Sequence, residues 1–427
     1  MNIAVIGAGI SGLRTAQLLL ASGHSVDVYE ARSRVGGRLE TVSIDRGGTF
    51  EAGGEWIDAD HRRVINLMRE YDLMPEIPGL WPGILLHQGE FSFEDNPWPN
   101  AATDIENVHE RARAICRTMP DRPWESSDWM EYDRKTLAEW LDGNCVTPRG
   151  RWLAEATIRS DEGDDTDQIS LLGWLIGYKA YVERKEGDMS AFRVPGGIGR
   201  LCQRIANELP WPVMTGFVLK KVAQTLDGAA VTFADGTSRE YERVVLTLPP
   251  PCYAGIEMVA WEPSQKAAYQ GMRMARAIKI SMEFREPFWV GSDWPGRLLC
   301  DLPCQQVWVG GSDNTPVLSA YICGRAAEEM IRHPDPVGAV VRALAEVLPP
   351  AQSQFVRGSV HDWVTDEYCQ GAFTMLAPGT SGMAQVLSQS WGKVHFAGEH
   401  TAGWLGFIEG ALESAERVVQ EINHDGS

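Results

Sequence analysis

The first thirty residues narrow what this chain can become more than any other stretch. Residues 2–6 (NIAVI) are an apolar run of strand length, and Gly7-Ala8-Gly9-Ile10-Ser11-Gly12 follows directly. Residues 11–22 have helical character and end at Gly23, and residues 25–30 (SVDVYE) alternate apolar and polar as a strand does. In such a β-α-β unit the first glycine of GxGxxG permits the tight turn. The second lets backbone approach a pyrophosphate, and the third lets helix and strand pack closely. The helix N-terminus then offers free N–H groups and a positive dipole end to phosphate. Glu30 closes the second strand, where a carboxylate accepts ribose hydroxyls. A purely structural turn would not require that acid, so the segment predicts a dinucleotide site.

Composition excludes several other functions. The chain has 427 residues, 44% hydrophobic and 23% charged, which is ordinary for a folded protein of several domains. Its formal charge of −19 argues against a nucleic-acid partner and against docking on anionic lipid, while favouring a cationic small molecule. The eight cysteines are scattered, with no CxxC pair and no metal-ligand spacing, so no metal is expected. They read as reduced thiols of a cytoplasmic protein, without an export signal or an apolar run of membrane-spanning length.

Farther along, the texture changes twice. Prolines interrupt residues 75–99, and helical periods follow over 104–118, 134–142, 148–159 and 168–184. Strands are expected at 213–222, 229–234, 242–248, 276–284, 317–323 and 393–397, with helices at 61–71, 335–348 and 407–423. The acidic tract at 160–167 (SDEGDDTD) reads as a solvated loop. Similar texture at both ends predicts an α/β (α+β) protein with a discontinuous Rossmann-like domain. That domain takes residues 1–75, 190–255 and 360–427. A substrate domain of helical cap plus mixed sheet is inserted as 76–189 and 256–359.

Residues 31–38 (ARSRVGGR) extend the dinucleotide signature with Gly36-Gly37-Arg38, and an arginine here can neutralise a pyrophosphate. This resembles the flavin-containing amine oxidase superfamily. The resemblance continues through residues 51–57 (EAGGEWI), 193–201 (RVPGGIGRL), 243–250 (RVVLTLPP), 275–289, 363–373 (WVTDEYCQGAF) and 395–416. It implies FAD held by Gly7, Gly9, Ile10, Ser11, Gly12, Glu30, Ala31, Arg32, Gly37 and Arg38. Farther on it implies Gly53, Gly54, Glu55, Trp56, Val218, Trp363, Gly398, Glu399, Gly406, Phe407 and Ile408. Lys279 matches the lysine that, in the family, holds a water at the flavin and aids reaction with oxygen. Phe373 and Phe407 match two aromatic residues that flank the substrate amine, and Trp56 stands beside them.

The departures are informative. Ala372 stands where covalent monoamine oxidases carry the flavin-bonding cysteine, which implies noncovalent FAD. Trp56 replaces an arginine common in L-amino-acid oxidases, although Arg193, Arg273 or Arg276 could take that role. Asp58 matches an acid of some polyamine oxidases but reads better as a helix N-cap. The resemblance thus implies oxidation of an amine to an imine, with oxygen reduced to hydrogen peroxide. An L-amino-acid oxidase for a bulky side chain, a C–C dehydrogenase on the same fold and a non-enzymatic escort protein stand as alternatives. A homodimer is compatible with the sequence.

Overall fold

The opening apolar run forms the strand Asn2–Ile6 at the centre of a five-stranded parallel sheet in the computed structural model. Residues 1–44, 48–73, 83–183, 190–311 and 315–425 are described. Ser25–Glu30 and Arg243–Leu246 flank the central strand, and Met214–Thr215 and Val394–Phe396 form the edges, every pairing parallel. Parallel sheets of this kind are covered on both faces. Ile3 and Val5 pack with Leu13, Leu19 and Ile422 beneath the helices Ile10–Ala21 and Ile408–Asp425. Ala4 and Ile6 point the other way, packing with Tyr29 of the neighbouring strand and with Val222 and Val231 of a four-stranded sheet. Each fully buried Leu or Ile here contributes about 2 kcal/mol of transfer free energy.

A second, seven-stranded mixed sheet runs in the order Phe355–Asp362, Ala277–Phe284, Val317–Cys323, Gln306–Val309, Arg297–Cys300, Ile84–His87, Glu90–Phe93. Its core includes Ile278, Ile280, Met282, Leu318 and Ala320, covered by the helices Arg325–Arg332 and Pro336–Val347. Five helices between Pro99 and Val182 form a separate apolar cluster around Leu137, Leu172, Trp174 and Leu175. The α/β (α+β) architecture expected from the sequence is therefore present.

Three local expectations need correction. The strand expected over 213–222 is split, because Gly216 takes φ 79° and sends Met214–Thr215 and Leu219–Gln224 into different sheets. The acidic tract is not a solvated loop. Asp164 and Asp165 are 1% and 6% exposed, and Arg276 pairs with Asp164 at 2.5 Å while the Arg325 backbone N–H donates to Asp165 at 2.9 Å. Those arginines lie more than a hundred residues away, which local composition could not show. Asp58 does not cap a helix. The helix Arg62–Glu70 starts after His61, and its free N–H groups at Arg63 and Val64 donate to Glu409 at 3.0–3.1 Å. Prolines 75, 78 and 82, the boundary residues 76 and 189, and the end of the 168–184 helix at residue 184 lie outside the described residues.

Candidate active site

A cavity of about 1140 Å³ opens where the carboxyl ends of Asn2–Ile6 and Ser25–Glu30 approach the mixed sheet. An open parallel sheet leaves its ligand crevice at that end. Gly7, at φ 104°, turns the chain there. A Cβ on Gly12 would stand 1.9 Å from the Gly7 carbonyl oxygen, so Gly12 seats the helix on the strand behind the wall. Gly7, Gly9, Ile10 and Ser11 face the cavity, and Gly9 caps the helix with no side chain closing its end. That end can receive an anion.

Glu30 also lines the cavity, its carboxylate accepting from Ala8 N at 2.8 Å and Arg32 N at 2.9 Å. Ala31, Arg32 and Val218 continue the same wall. Deeper in, the Arg38 guanidinium donates to Glu399 Oε1 at 2.8 Å and to the Ala372 carbonyl at 3.0 Å. Burial alone would raise the Glu399 carboxyl. The Arg38 charge, with His400 and hydrogen bonds from Arg38 and Thr374, outweighs it and leaves the group below its usual range.

Gly37, Gly53, Gly54, Glu55, Trp56, Trp363, Gly398, Gly406, Phe407 and Ile408 close the remainder of this region. Gly53 has no room for a side chain, since a Cβ would sit 1.8 Å from the Arg38 carbonyl oxygen. Trp363 is pinned by its Nε1 donating to Ala52 O at 2.8 Å. Except for Gly12, every residue singled out in the sequence for the cofactor thus faces one space. Ile408 begins the final helix at its edge, with the positive dipole end directed there.

Lys279 is 6% exposed on the strand Ala277–Phe284, away from solvent. Its ammonium donates to Glu55 Oε2 at 2.8 Å, Gly53 O at 2.9 Å and Glu51 O at 3.1 Å, which uses all three donors. Across the strand pair stands His361, whose imidazole is pushed down to about 4 by burial and by the Lys279 charge. Glu51 is pushed up to about 7 by burial and by the like charge of Glu55.

Phe373 and Phe407 both line the cavity. Phe373 packs against Gly163 and Gly406, and Phe407 stands edge-on to His61 and Trp404 at 5.2 and 5.9 Å. Of the three candidate arginines, Arg193 faces the cavity but is held by Glu55 at 3.1 Å, whereas Arg276 is spent on Asp164 and Arg273 is exposed elsewhere.

Sequence reasoning missed Trp308, Tyr321 and Asp161, all of which line the same space. Tyr321 pairs with Lys279 in the strand register; both strands are legible in the sequence, but their pairing is not. No hydrogen bond or ion pair among the described residues reaches the Asp161 carboxylate. Its side chain is exposed, but to the space of the cavity, and enclosure by the cavity walls raises it to about 6, with Arg297 opposing and Asp58 and Glu94 reinforcing the shift.

These features fit FAD: an open helix terminus, an acid on the cavity wall at the end of the second strand, glycines with no room for a side chain along the same wall, and a cavity of about 1140 Å³. Two thiols, Cys252 and Cys369, line it, but burial pushes them up to about 12 and about 11, so neither is a thiolate at neutral pH. Together with Ala372, this matches cofactor held without a covalent bond.

The description "Flavin containing amine oxidoreductase" belongs to a family whose pattern matches residues 10–423. Amine oxidase [flavin-containing] A of Equus caballus is 27% identical over 99% of this chain and 84% of its own length. Amine oxidase [flavin-containing] B of Homo sapiens is 26% identical over 99% and 86%. Among solved structures, wild-type putrescine oxidase bound to putrescine superposes with a TM-score of 0.89 at 22% identity, covering 99% of both chains. Cyclohexylamine oxidase from Brevibacterium oxydans IH-35A gives 0.88 at 24%, again over 99% of both. No helix among the described residues is long and apolar enough to cross a membrane. A glycine-rich turn at an open helix end, a cavity wall whose two thiols stay protonated and a family match over residues 10–423 converge, and the chain belongs to the flavin-containing amine oxidoreductases, FAD-dependent enzymes that oxidise amines.

Proposed function

We propose that the protein oxidises a primary amine bearing a second positive charge, with oxygen as the electron acceptor. FAD, when bound, would supply a two-electron acceptor: a hydride would leave the α-carbon of the neutral amine, water would hydrolyse the resulting iminium to a carbonyl compound and ammonium, and oxygen would take the two electrons with the hydride's proton and one from solvent to give hydrogen peroxide. The parallel-sheet unit built from 1–75, 190–255 and 360–427 holds this cofactor, and the inserted segments shape the substrate end. Gly9, Ile10 and Ser11 receive the pyrophosphate, Glu30 the ribose, and the start of the final helix stabilises negative charge on the ring. Lys279 presents a fixed positive charge to the oxygen step.

Phe373, Phe407, Trp56 and Trp308 supply aromatic walls that exclude water and favour the neutral amine over its ammonium form. Asp161, whose carboxylate no hydrogen bond or ion pair among the described residues reaches, gives the second ammonium a counter-charge. That carboxylate carries the substrate reading, and the putrescine bound by a neighbour of the same fold supports it. Among the described residues, the arginines that line the cavity (Arg32, Arg38, Arg193 and Arg297) are each paired with a carboxylate of the protein, which speaks against an amino acid. The purified protein is expected to be yellow, to bleach anaerobically with putrescine and to recover its colour in air with release of peroxide. A colourless protein, or one bleached by amino acids but by no amine, would overturn this reading.

A further inference from the structure

Glu55 sits at the centre of a charged cluster that the reaction as described does not use. It is 4% exposed, and both carboxylate oxygens are engaged. Oε2 accepts from Lys279 Nζ at 2.8 Å and Trp308 Nε1 at 3.2 Å, while Oε1 accepts from Arg193 Nη1 at 3.1 Å. The indole that bonds Glu55 also lies 5.3 Å from the Lys279 ammonium, and Arg193 lies 5.0 Å over Trp56. A buried ammonium facing only carbonyl dipoles would shed its proton readily, because desolvation penalises the charged form. The carboxylate opposes that.

Among the described residues, the other titratable groups facing Lys279 are Glu51 at the end of the strand Thr49–Glu51, Tyr321 and His361 from the two neighbouring strands, and Arg193 across the cluster. His361 is pushed down to about 4 and burial pushes Tyr321 well up, so both are neutral near pH 7. Arg193 adds positive charge. Glu51, pushed up to about 7, is only partly ionised there. Glu55 is therefore the dominant anion acting on the lysine.

We propose that Glu55 is a positioning residue for the oxygen step, holding Lys279 charged and fixed beside the cofactor. This rests on the assignment of Lys279 given above. The test uses flavin-loaded wild type, Glu55→Gln, Glu55→Asp and Lys279→Met. Reoxidation of reduced enzyme by oxygen and the visible spectrum of the oxidised, resting enzyme are both followed against pH. Loss of the carboxylate should move the pH at which reoxidation is half lost down by at least about one unit, the scale on which a buried charge partner acts. A spectral transition should appear at the same pH in Glu55→Gln and vanish in the Glu55→Gln/Lys279→Met double variant. Glu55→Asp, its charge withdrawn by one methylene, should fall between Glu55→Gln and wild type. It carries the test if Glu55→Gln does not retain flavin, and a transition there no lower than in wild type overturns the proposal. A Glu55→Gln profile superimposable on wild type also overturns it. If Lys279→Met reoxidises as fast as wild type, the assignment of Lys279 fails instead, and Glu55 loses its role with it.

Discussion

Arg38 and Glu399 stand 361 positions apart in the chain and meet at 2.8 Å. The same carboxylate accepts from Thr374 Oγ1 and Gly406 N, both at 2.8 Å. Thr374 follows Phe373 and Gly406 precedes Phe407, so one anion ties the second glycine-rich turn to both aromatic side walls. Removing one member of a buried ion pair leaves an uncompensated charge and costs about 3–5 kcal/mol. Glu399→Gln should lower unfolding stability by that order and release flavin more readily.

That substitution also has a signed pH consequence. Glu399 is held below its unfolded value, so its contribution is present above that value and is lost as pH falls through the folded one. Denaturant titrations should show Glu399→Gln losing less stability than wild type below about pH 4.5, the region where a free carboxyl titrates. An equally steep acid limb in both proteins would refute the assignment.

His400 gives a separate window. It is fully buried and pushed down to about 4, chiefly by burial, with Arg38 and Arg417 opposing protonation and Glu399 favouring it. Between about 6.5, the unfolded value, and the folded one, the unfolded chain binds the extra proton, so stability falls as pH drops through that range. His400→Asn should flatten this slope. Proton uptake on unfolding at pH 5.5, measured by calorimetry in two buffers, should fall by a fraction of a proton.

The dinucleotide turn allows a substitution that separates folding from cofactor loading. Gly12→Ala places a methyl 1.9 Å from the Gly7 carbonyl oxygen, a backbone atom that cannot step aside alone. The helix Ile10–Ala21 must tilt away from its strand, moving the N–H groups offered to pyrophosphate. Overpacking of this kind costs about 1–3 kcal/mol, which a domain of this size survives. The variant should fold, retain its far-ultraviolet spectrum and be purified with little flavin. Stoichiometric yellow protein would show that the close packing at Gly12 is dispensable.

How far the sequence reveals this site depends on the range of the forces involved. The glycine turn, Glu30 and the buried strands are legible because local sterics and period-two patterning fix them within a dozen residues. Lys279 is conspicuous because a charge among Ile278, Ile280 and Met282 needs an explanation. Asp58 is misread because its neighbours suggest a helix start, whereas the cap comes from Glu409, 346 positions beyond Arg63 and 345 beyond Val64. Asp161 is hidden in an acidic tract that looks solvated. Its neighbours Asp164 and Asp165 are neutralised by distant arginines, and that pairing exists only once the mixed sheet has formed.

Asp161 also offers the sharpest test of substrate choice. Its carboxylate opens onto the cavity two residues before Gly163, and Gly163 packs against Phe373. A diamine with one end between the aromatic walls can place its second ammonium against Asp161, whereas a monoamine of equal length cannot use that charge. Asp161→Asn removes the charge with little change of shape. Because the group is raised to about 6 without a ligand, a bound cation should pull it down, so diamine affinity should improve with pH through that range. A partly buried charge pair is worth about 1–3 kcal/mol, so kcat/KM for putrescine should fall roughly tenfold to a hundredfold, with butylamine nearly unchanged. Equal losses for both amines would instead assign Asp161 to accepting the proton of the reacting nitrogen, and the second-cation reading would be abandoned.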